Sequence, residues 1–566
     1  MSETVISVQN LRFRYRGKRE IALNDVSLEV QQGDFLVIMG HSEAGKSTLA
    51  ASLNGLVPHF QRGKFAGDVV VLGQNTREAT VAQMAEKLGM VFQDFEAQLF
   101  STSVELEVAF GPENFGVPRE EIARRIEENL GLVGLEGLVR RPPSTLSGGQ
   151  KQKLAIASVL AMETPILVMD EPTTDLDPVS KWSVFEIADE IRERSSLTLI
   201  VVEHETEEAL YADRILLLKE GQILRLGPAA EILREVELMQ ETGVMPLGVP
   251  LLFKRLDAPY LPLTLDEGEE HFKANGWRIS AERYAELIAA DEARQEKRGP
   301  VLIRCQNLEH TYPGGVAALQ GINLDIHRGE IVAVVGQNGS GKTTLVKHFN
   351  GLLMPTAGRI EVGGESTEEQ GVFKLGKRVG YVFQNPDHQI FSETVFDEVA
   401  YSLRLREMEE EAIQARVAEA LEAVGLEGME EADPFSMTKS GRQRVAVASV
   451  LAIRPDVLIL DEPTTGLDYR EQRSMMNLVR DLNARGSTVI FVTHHMWVVA
   501  EYAHRVFVVK GGKILLEGTT REVFAEEQVL QKTYLCPPQL VSLSNRLGKT
   551  LLDVDEFVDC TLTEQA

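Results

Sequence analysis

The 566-residue sequence predicts an α/β fold written twice along one chain. Three observations predict it. Short apolar strands alternate with stretches of helical periodicity. A glycine-rich loop ending in Lys-Ser or Lys-Thr follows an apolar strand in each half. The halves also repeat at a fixed interval: MDEPTTDLDP at 169–178 returns as LDEPTTGLDY at 460–469, and VFQDFEAQLF at 91–100 as VFQNPDHQIF at 382–391, both displaced by 291 positions. Repetition at that scale means one architecture duplicated.

The elements follow in chain order. DFLVIM (34–39) is an apolar strand, and GHSEAGKST (40–48) after it fits GxxxxGK[ST], opening a helix. That strand–loop–helix context turns the pattern into a phosphate site and the domain into a P-loop NTPase. Ile122, Ile126 and Leu130 recur at helical spacing before the strand ILVMD (166–170), which predicts a helical subdomain inserted in the α/β body. The second half repeats this with EIVAVV (330–335), GQNGSGKTT (336–344), the helical set Ile413, Val417, Leu421 and Val424, and the strand VLILD (457–461). Pro246 with Arg255 and Leu256 matches Pro537 with Arg546 and Leu547, so each half ends in a small extension. The expected domains are therefore 1–266 and 300–566. The unpaired stretch 267–299, which opens DEGEEHF, closes ARQEKRG and is helical after a cap at Ser280, is expected to be a charged linker.

Composition narrows the function. Against 58 Lys plus Arg stand 85 Asp plus Glu, a net charge of -27 without a basic stripe, which excludes nucleic acid as the expected partner. Three scattered cysteines, Cys305, Cys536 and Cys560, make neither a disulfide framework nor a four-ligand metal site and suit a reducing compartment. The opening MSETVISVQNLRFRY alternates like a strand and lacks the pattern of a signal peptide. No apolar run approaches the ~20 residues that span a bilayer, so any membrane crossing is expected from another chain.

The chemistry sits in the loops. Backbone amides around Gly40, Gly45, Gly336, Asn338, Gly339, Ser340 and Gly341 face a triphosphate, Lys46 and Lys342 neutralise its β and γ oxygens, and Ser47 and Thr343 offer hydroxyls to Mg2+. Thr48 and Thr344 complete the loops. Asp170 and Asp461 end apolar strands as the magnesium-side carboxylates, and Glu171 and Glu462 stand one residue on, placed to polarise an attacking water.

LSGGQ (146–150) lies 20 residues before Asp170. With it the chain resembles the ATP-binding cassette family, in which two cassettes sandwich two ATP molecules head to tail and the signature of one closes over the nucleotide of the other. The resemblance implies ATP and Mg2+ as ligands, intramolecular pairing of the two halves, and a signature contact from Ser147, Gly148, Gly149 and Gln150. It makes His204 in VVEHE and His494 in VTHHM the switch histidines, with His495 a neighbour outside that role. It makes Gln93 and Gln384 the glutamines that sense the γ-phosphate and a membrane partner, Asp177 and Asp468 the aspartates linking the two sites, and Tyr15 and Tyr312 the aromatics that stack on adenine.

The first loop departs from the pattern at Glu43, where the family uses glycine. The ungapped counterpart of LSGGQ also departs, reading MTKSG (437–441) with Lys439 in a glycine's place; a register reading KSGRQ instead deletes two residues. Both departures fall on one composite site. Glu43 sets a negative charge beside a polyanion and a side chain where the backbone favours none, unless position 43 is unconstrained and points into water. The expectation is asymmetry: the second loop's site hydrolyses ATP, and the first loop's site binds and turns over slowly.

The segments 92–112 and 383–401, together with LNGL (53–56), FNGL (349–352) and the Arg-Leu extensions, look like the ATPases of energy-coupling factor (ECF) importers, although the first copy has Asp94-Phe95 in place of Asn-Pro. That resemblance implies an ATPase on the cytoplasmic face of the cell membrane. Its partners would be a membrane coupling protein (T component), whose arginines could reach Glu105, Glu107, Asp397 or Glu398, and a substrate-binding membrane subunit (S component). The cargo would be a vitamin, a vitamin precursor or nickel or cobalt, a thiamine-related precursor first. The alternatives are a duplicated sugar-importer ATPase and a soluble tandem-cassette translation factor. The helix after the glutamine argues against the first, the acidic linker against the second.

Overall fold

The computed structural model describes residues 3–173, 181, 187 and 197–563. Its internal contacts divide the chain into two units, Met1–Pro250 and Leu251–Ala566. Each holds the predicted α/β body.

In the first unit a six-stranded sheet runs in the order Gln222–Pro228, Arg214–Lys219, Phe35–Met39, Thr198–Val202, Ile166–Asp170, Leu88–Val91. All neighbours are parallel except the first pair, a hairpin. Phe35–Met39, Ile166–Asp170 and Thr198–Val202 are buried at every residue, which is why they read as unbroken apolar runs: both faces of a parallel sheet are covered. A four-stranded antiparallel sheet containing Thr4–Tyr15 packs beside it and shares one apolar core with it. The second unit repeats both sheets around Ile331–Val335 and Val301–Thr311.

The helical insertions are present. Val104–Asn114, Arg119–Leu132 and Gly148–Leu160 pack together in the first unit, and Val395–Arg404, Glu410–Val424 and Lys439–Leu451 in the second. Ile122, Leu130, Ile413, Val417, Leu421 and Val424 are buried as their spacing predicts, and Ile126 is half-buried.

The stretch 267–299 is not a free linker, and the division lies at 250/251 instead of 266/267. Long-range contacts that composition does not reveal draw 251–299 into the second unit. Helix Leu265–Ala274 is capped by Thr264, strand Arg278–Ile279 pairs with Thr561–Leu562, and Ser280 caps helix Ala281–Glu296 as expected. Phe253, Trp277, Phe272 and Phe557 form one aromatic cluster. The two repeated extensions meet reciprocally: Arg255, last residue of its helix, pairs with Asp555 at 2.7 Å, and Arg546, last of its own, pairs with Asp266 at 2.5 Å. Arg521, 4% exposed, binds Glu556 through two nitrogens and Asp291 at 2.9 Å, which fastens helix Ala281–Glu296 to the body. Among the described residues no helix is long and apolar enough to cross a membrane.

Candidate nucleotide sites

Both phosphate loops lie where a buried central strand ends and a helix begins, Lys46–Leu53 in the first unit and Lys342–Phe349 in the second. Glycine is required beside the lysines: a Cβ on Gly45 would stand 2.4 Å from the Ala22 carbonyl oxygen, and one on Gly341 2.6 Å from that of Ala318. Gly40 and Gly336 are closed in the same way by the Leu218 and Val509 carbonyls. Each lysine folds over its own loop. Lys46 Nζ donates to the carbonyls of Gly40 at 3.0 Å and His41 at 2.9 Å, and Lys342 Nζ to those of Gly336 at 2.8 Å and Gln337 at 2.9 Å. Asn338 and Gly339 are exposed, while Ser340 is buried with a hydroxyl that has no hydrogen-bond partner among the described residues. An orphaned buried hydroxyl in the phosphate loop fits an anionic oxygen there.

The metal-side pairs are also assembled. Ser47 Oγ donates to Asp170 Oδ1 at 3.0 Å, and Thr343 Oγ1 to Asp461 Oδ1 at 3.2 Å. Hydroxyl and carboxylate oxygens are hard donors that suit Mg2+. Burial pushes the Asp170 carboxyl up to about 6, aided by the Glu171 charge and opposed by Ser47 and Lys46. Burial raises Asp461 too, opposed by a hydrogen bond from Tyr381.

Glu171 and Glu462 share an unusual backbone, φ 48° and 50°, in the left-handed region that non-glycine residues avoid. Their amides donate to the Val202 and Val492 carbonyls at 3.0 Å, which locks both turns. His204 Nε2 lies 2.7 Å from Glu171 Oε1, and His494 Nδ1 lies 3.0 Å from Glu462 Oε2. Strand register explains why His494 holds this place: Val202 pairs with Asp170 and Val492 with Asp461, so the interval between the halves is 290 at this strand. His495 instead meets the Thr464 hydroxyl at 2.8 Å. Burial alone would raise Glu462, but His494 together with Lys342 and His495 outweighs it, and the carboxyl is held at about 2. It is therefore ionised at neutral pH, suited to polarising water rather than keeping its proton.

Elsewhere the halves differ. Gln93 Nε2 donates to Glu171 Oε2 at 2.6 Å, whereas Gln384 is exposed and makes no such bond. Tyr15 and Tyr312 each place the hydroxyl on a loop threonine, Thr48 at 2.9 Å and Thr344 at 3.1 Å, which ties both aromatics to the phosphate loops. Asp468 caps helix Tyr469–Ala484 through the Glu471 amide; Asp177 lies outside the described residues.

The signature segments support the ungapped register. Ser147 caps helix Gly148–Leu160 in a reciprocal capping box with Gln150, and Thr438 caps helix Lys439–Leu451 through the Gly441 amide. Gly148 opens on free space, a Cβ there meeting nothing within 4 Å, and Gly149 follows it in the first helical turn. Lys439 occupies the matching place and lays its ammonium against Gly466. Glu43 is exposed at φ 64°, the conformation its counterpart Gly339 adopts at φ 76°.

Sequence reasoning missed two features. Glu107 and Glu398 are buried, and each receives two backbone amides on Oε2, from Phe100 and Ser101 and from Phe391 and Ser392. They staple the segment after the glutamine to the helix and do not stand open to arginines. Asp397 is held by Arg404, which leaves Glu105 exposed. The second feature is a repeated pair of exposed aromatics packed edge to face, Phe100 with Phe110 and Phe391 with Tyr401. Its signal is the same spacing in FSTSVELEVAF and FSETVFDEVAY.

Two phosphate loops, each with its carboxylate pair and histidine, define a tandem nucleotide-binding protein. The chain belongs to the ABC transporter family, whose profile matches residues 23–174 and 319–465, and it is the ATP-binding subunit of an ABC transporter. It is 55% identical over 565 residues to a protein of Caldanaerobacter subterraneus subsp. tengcongensis that carries the provisional name ABC transporter ATP-binding protein, covering 99% of both chains. A protein of Methanosarcina acetivorans with the same provisional name is 40% identical over 98% of this chain and 92% of its own. Among solved structures, CbiO1 of Clostridium perfringens, described as part of the ABC transporter complex CbiONQ, is 38% identical with a TM-score of 0.39, over 43% of this chain and 98% of that one.

Proposed function

We propose that the chain is the ATP-hydrolysing energy-coupling subunit of an ECF-type importer for a vitamin, a vitamin precursor or a transition-metal ion. It would act at the cytoplasmic face of the membrane with a coupling protein and a substrate-binding subunit. The observation that carries this reading is the twice-written segment after the glutamine, held by a buried glutamate and presenting an exposed aromatic pair that begins seven residues after Gln93 or Gln384. An exposed apolar pair next to acidic Glu105 suits an amphipathic basic helix of a membrane partner.

Within the subunit the second phosphate loop is the hydrolytic one, closed by LSGGQ as the family pairs its cassettes. Lys342 binds the β and γ oxygens, Glu462 polarises water, and His494 orients that carboxylate and, with Lys342 and His495, keeps it ionised. Mg2+, when bound by Thr343 and Asp461, supplies charge neutralisation at the phosphates. The first loop turns over slowly. Glu43 adds charge and a left-handed backbone, and Lys439 replaces the open glycine of its signature.

Purification of the complex from membranes tests the proposal. Co-purification of a multi-spanning coupling protein together with a small membrane subunit supports the importer. Recovery of two sugar-permease chains refutes it, as does recovery of ribosomes.

A further inference from the structure

Strand Val379–Val382 carries Tyr381 where strand Leu88–Val91 carries Met90, 291 positions earlier. The registers are equivalent: Tyr381 lies opposite Ile459, two residues before Asp461, and Met90 opposite Val168, two before Asp170. The two side chains therefore stand at the same place relative to the strand-end aspartate, with different chemistry.

Tyr381 is 8% exposed, packs edge to face on Phe383, and donates its hydroxyl proton to Asp461 Oδ2 at 2.6 Å. The Thr343 hydroxyl serves the other oxygen, Oδ1, at 3.2 Å. One donor on each oxygen fixes both the rotamer and the plane of a buried carboxylate. In the first unit Ser47 serves Asp170 Oδ1, and a thioether has no proton to give. Met90 Sδ instead accepts from Asn54 Nδ2 at 2.7 Å, and among the described residues no donor reaches Asp170 Oδ2. The difference is confined to one atom pair in two otherwise matching strand registers.

We propose that Tyr381 is a positioning residue of the second nucleotide site, holding Asp461 in the orientation from which it serves the metal of a bound nucleotide, a device the first site lacks. The proposal rests on the reading of Asp461 as the magnesium-side aspartate. It adds to the asymmetry of the two sites a cause independent of Glu43 and Lys439, because it acts within the second half alone.

The test uses the full chain carrying Lys46→Ala, so that the second loop alone loads, with Mn2+ as the metal and AMP-PNP as a nucleotide that is not hydrolysed. Electron paramagnetic resonance reads the Mn2+ concentration that half-saturates the bound nucleotide. Tyr381→Phe removes only the hydroxyl. It is expected to raise that concentration about tenfold, the scale on which a metal ligand's hydrogen-bond partner acts, and to leave metal-free AMP-PNP affinity unchanged. A residue that merely fills the core would not separate the two quantities. If Tyr381→Phe leaves the Mn2+ dependence unaltered while Asp461→Asn weakens it, the role given to Tyr381 is wrong and the aspartate reading stands. If Asp461→Asn also leaves it unaltered, the aspartate reading itself fails.

Discussion

Replacing Glu43 separates two effects that coincide in the wild-type chain. The first is electrostatic. A unit charge ~8 Å from one phosphate charge at an effective dielectric near 20 amounts to about 2 kcal/mol, and because Glu43 is exposed and the screening length is about 8 Å at physiological salt, roughly half of that survives. The second is conformational: at φ 64° a side chain costs about 1 kcal/mol that glycine avoids, partly offset by the greater freedom glycine gives the unfolded chain. Glu43→Gln removes the charge and keeps the strain, whereas Glu43→Gly removes both. The assay is ATP binding by calorimetry in a Lys342→Ala background, so that the first loop alone loads. Both variants should bind about fivefold more tightly at physiological salt, with the gain growing as salt is lowered, and neither should change the unfolding free energy by much more than about 0.5 kcal/mol. If Glu43→Gln binds ATP no better than wild type at low salt, the charge does not act on the nucleotide and Glu43 is a tolerated surface residue.

Two further predictions concern the scaffold. His504 is depressed to about 4 by burial and the neighbouring Arg294, against an unfolded value near 6.5. Between those values the unfolded chain binds the extra proton. The histidine's contribution to stability is therefore present above pH 6.5 and lost as pH falls toward 4, about 3 kcal/mol in all; urea unfolding of wild type and His504→Gln from pH 4 to 7 should show the slope reduced in the variant. Glu398→Ala leaves the Phe391 and Ser392 amides without their acceptor and should cost about 2 kcal/mol, read as faster hydrogen exchange at those two amides while the central strands stay protected.

Much of this architecture is legible in the sequence because its signals are local. A buried parallel strand is an apolar run, as ILVMD and VLILD are, and a phosphate loop is a run of glycines that backbone carbonyls press upon. The cap at Ser280 is equally local and is found where expected. What escapes is long-range. The stretch 267–299 reads as a charged linker because nothing near it announces the pairing of Arg278–Ile279 with Thr561–Leu562 or the grip of Arg521 on Asp291. Glu107 and Glu398 read as surface acids because a carboxylate that accepts two backbone amides has the same letter as one in water. The Tyr381–Met90 difference is visible in the repeat, yet its meaning depends on a strand register that brings a hydroxyl to the neighbouring strand's last carboxylate.

The central claim is that the two nucleotide sites do unequal work. Steady-state ATP hydrolysis by the full chain, its Glu171→Gln variant and its Glu462→Gln variant tests it most directly, with the membrane coupling partner present. The account predicts that Glu462→Gln abolishes turnover while Glu171→Gln keeps most of it, since the unaltered loop 336–344 and LSGGQ serve the second site and the departures at Glu43 and Lys439 both fall on the first. Equal loss in both variants would mean that the sites act as one hydrolytic unit, and the asymmetry would be refuted.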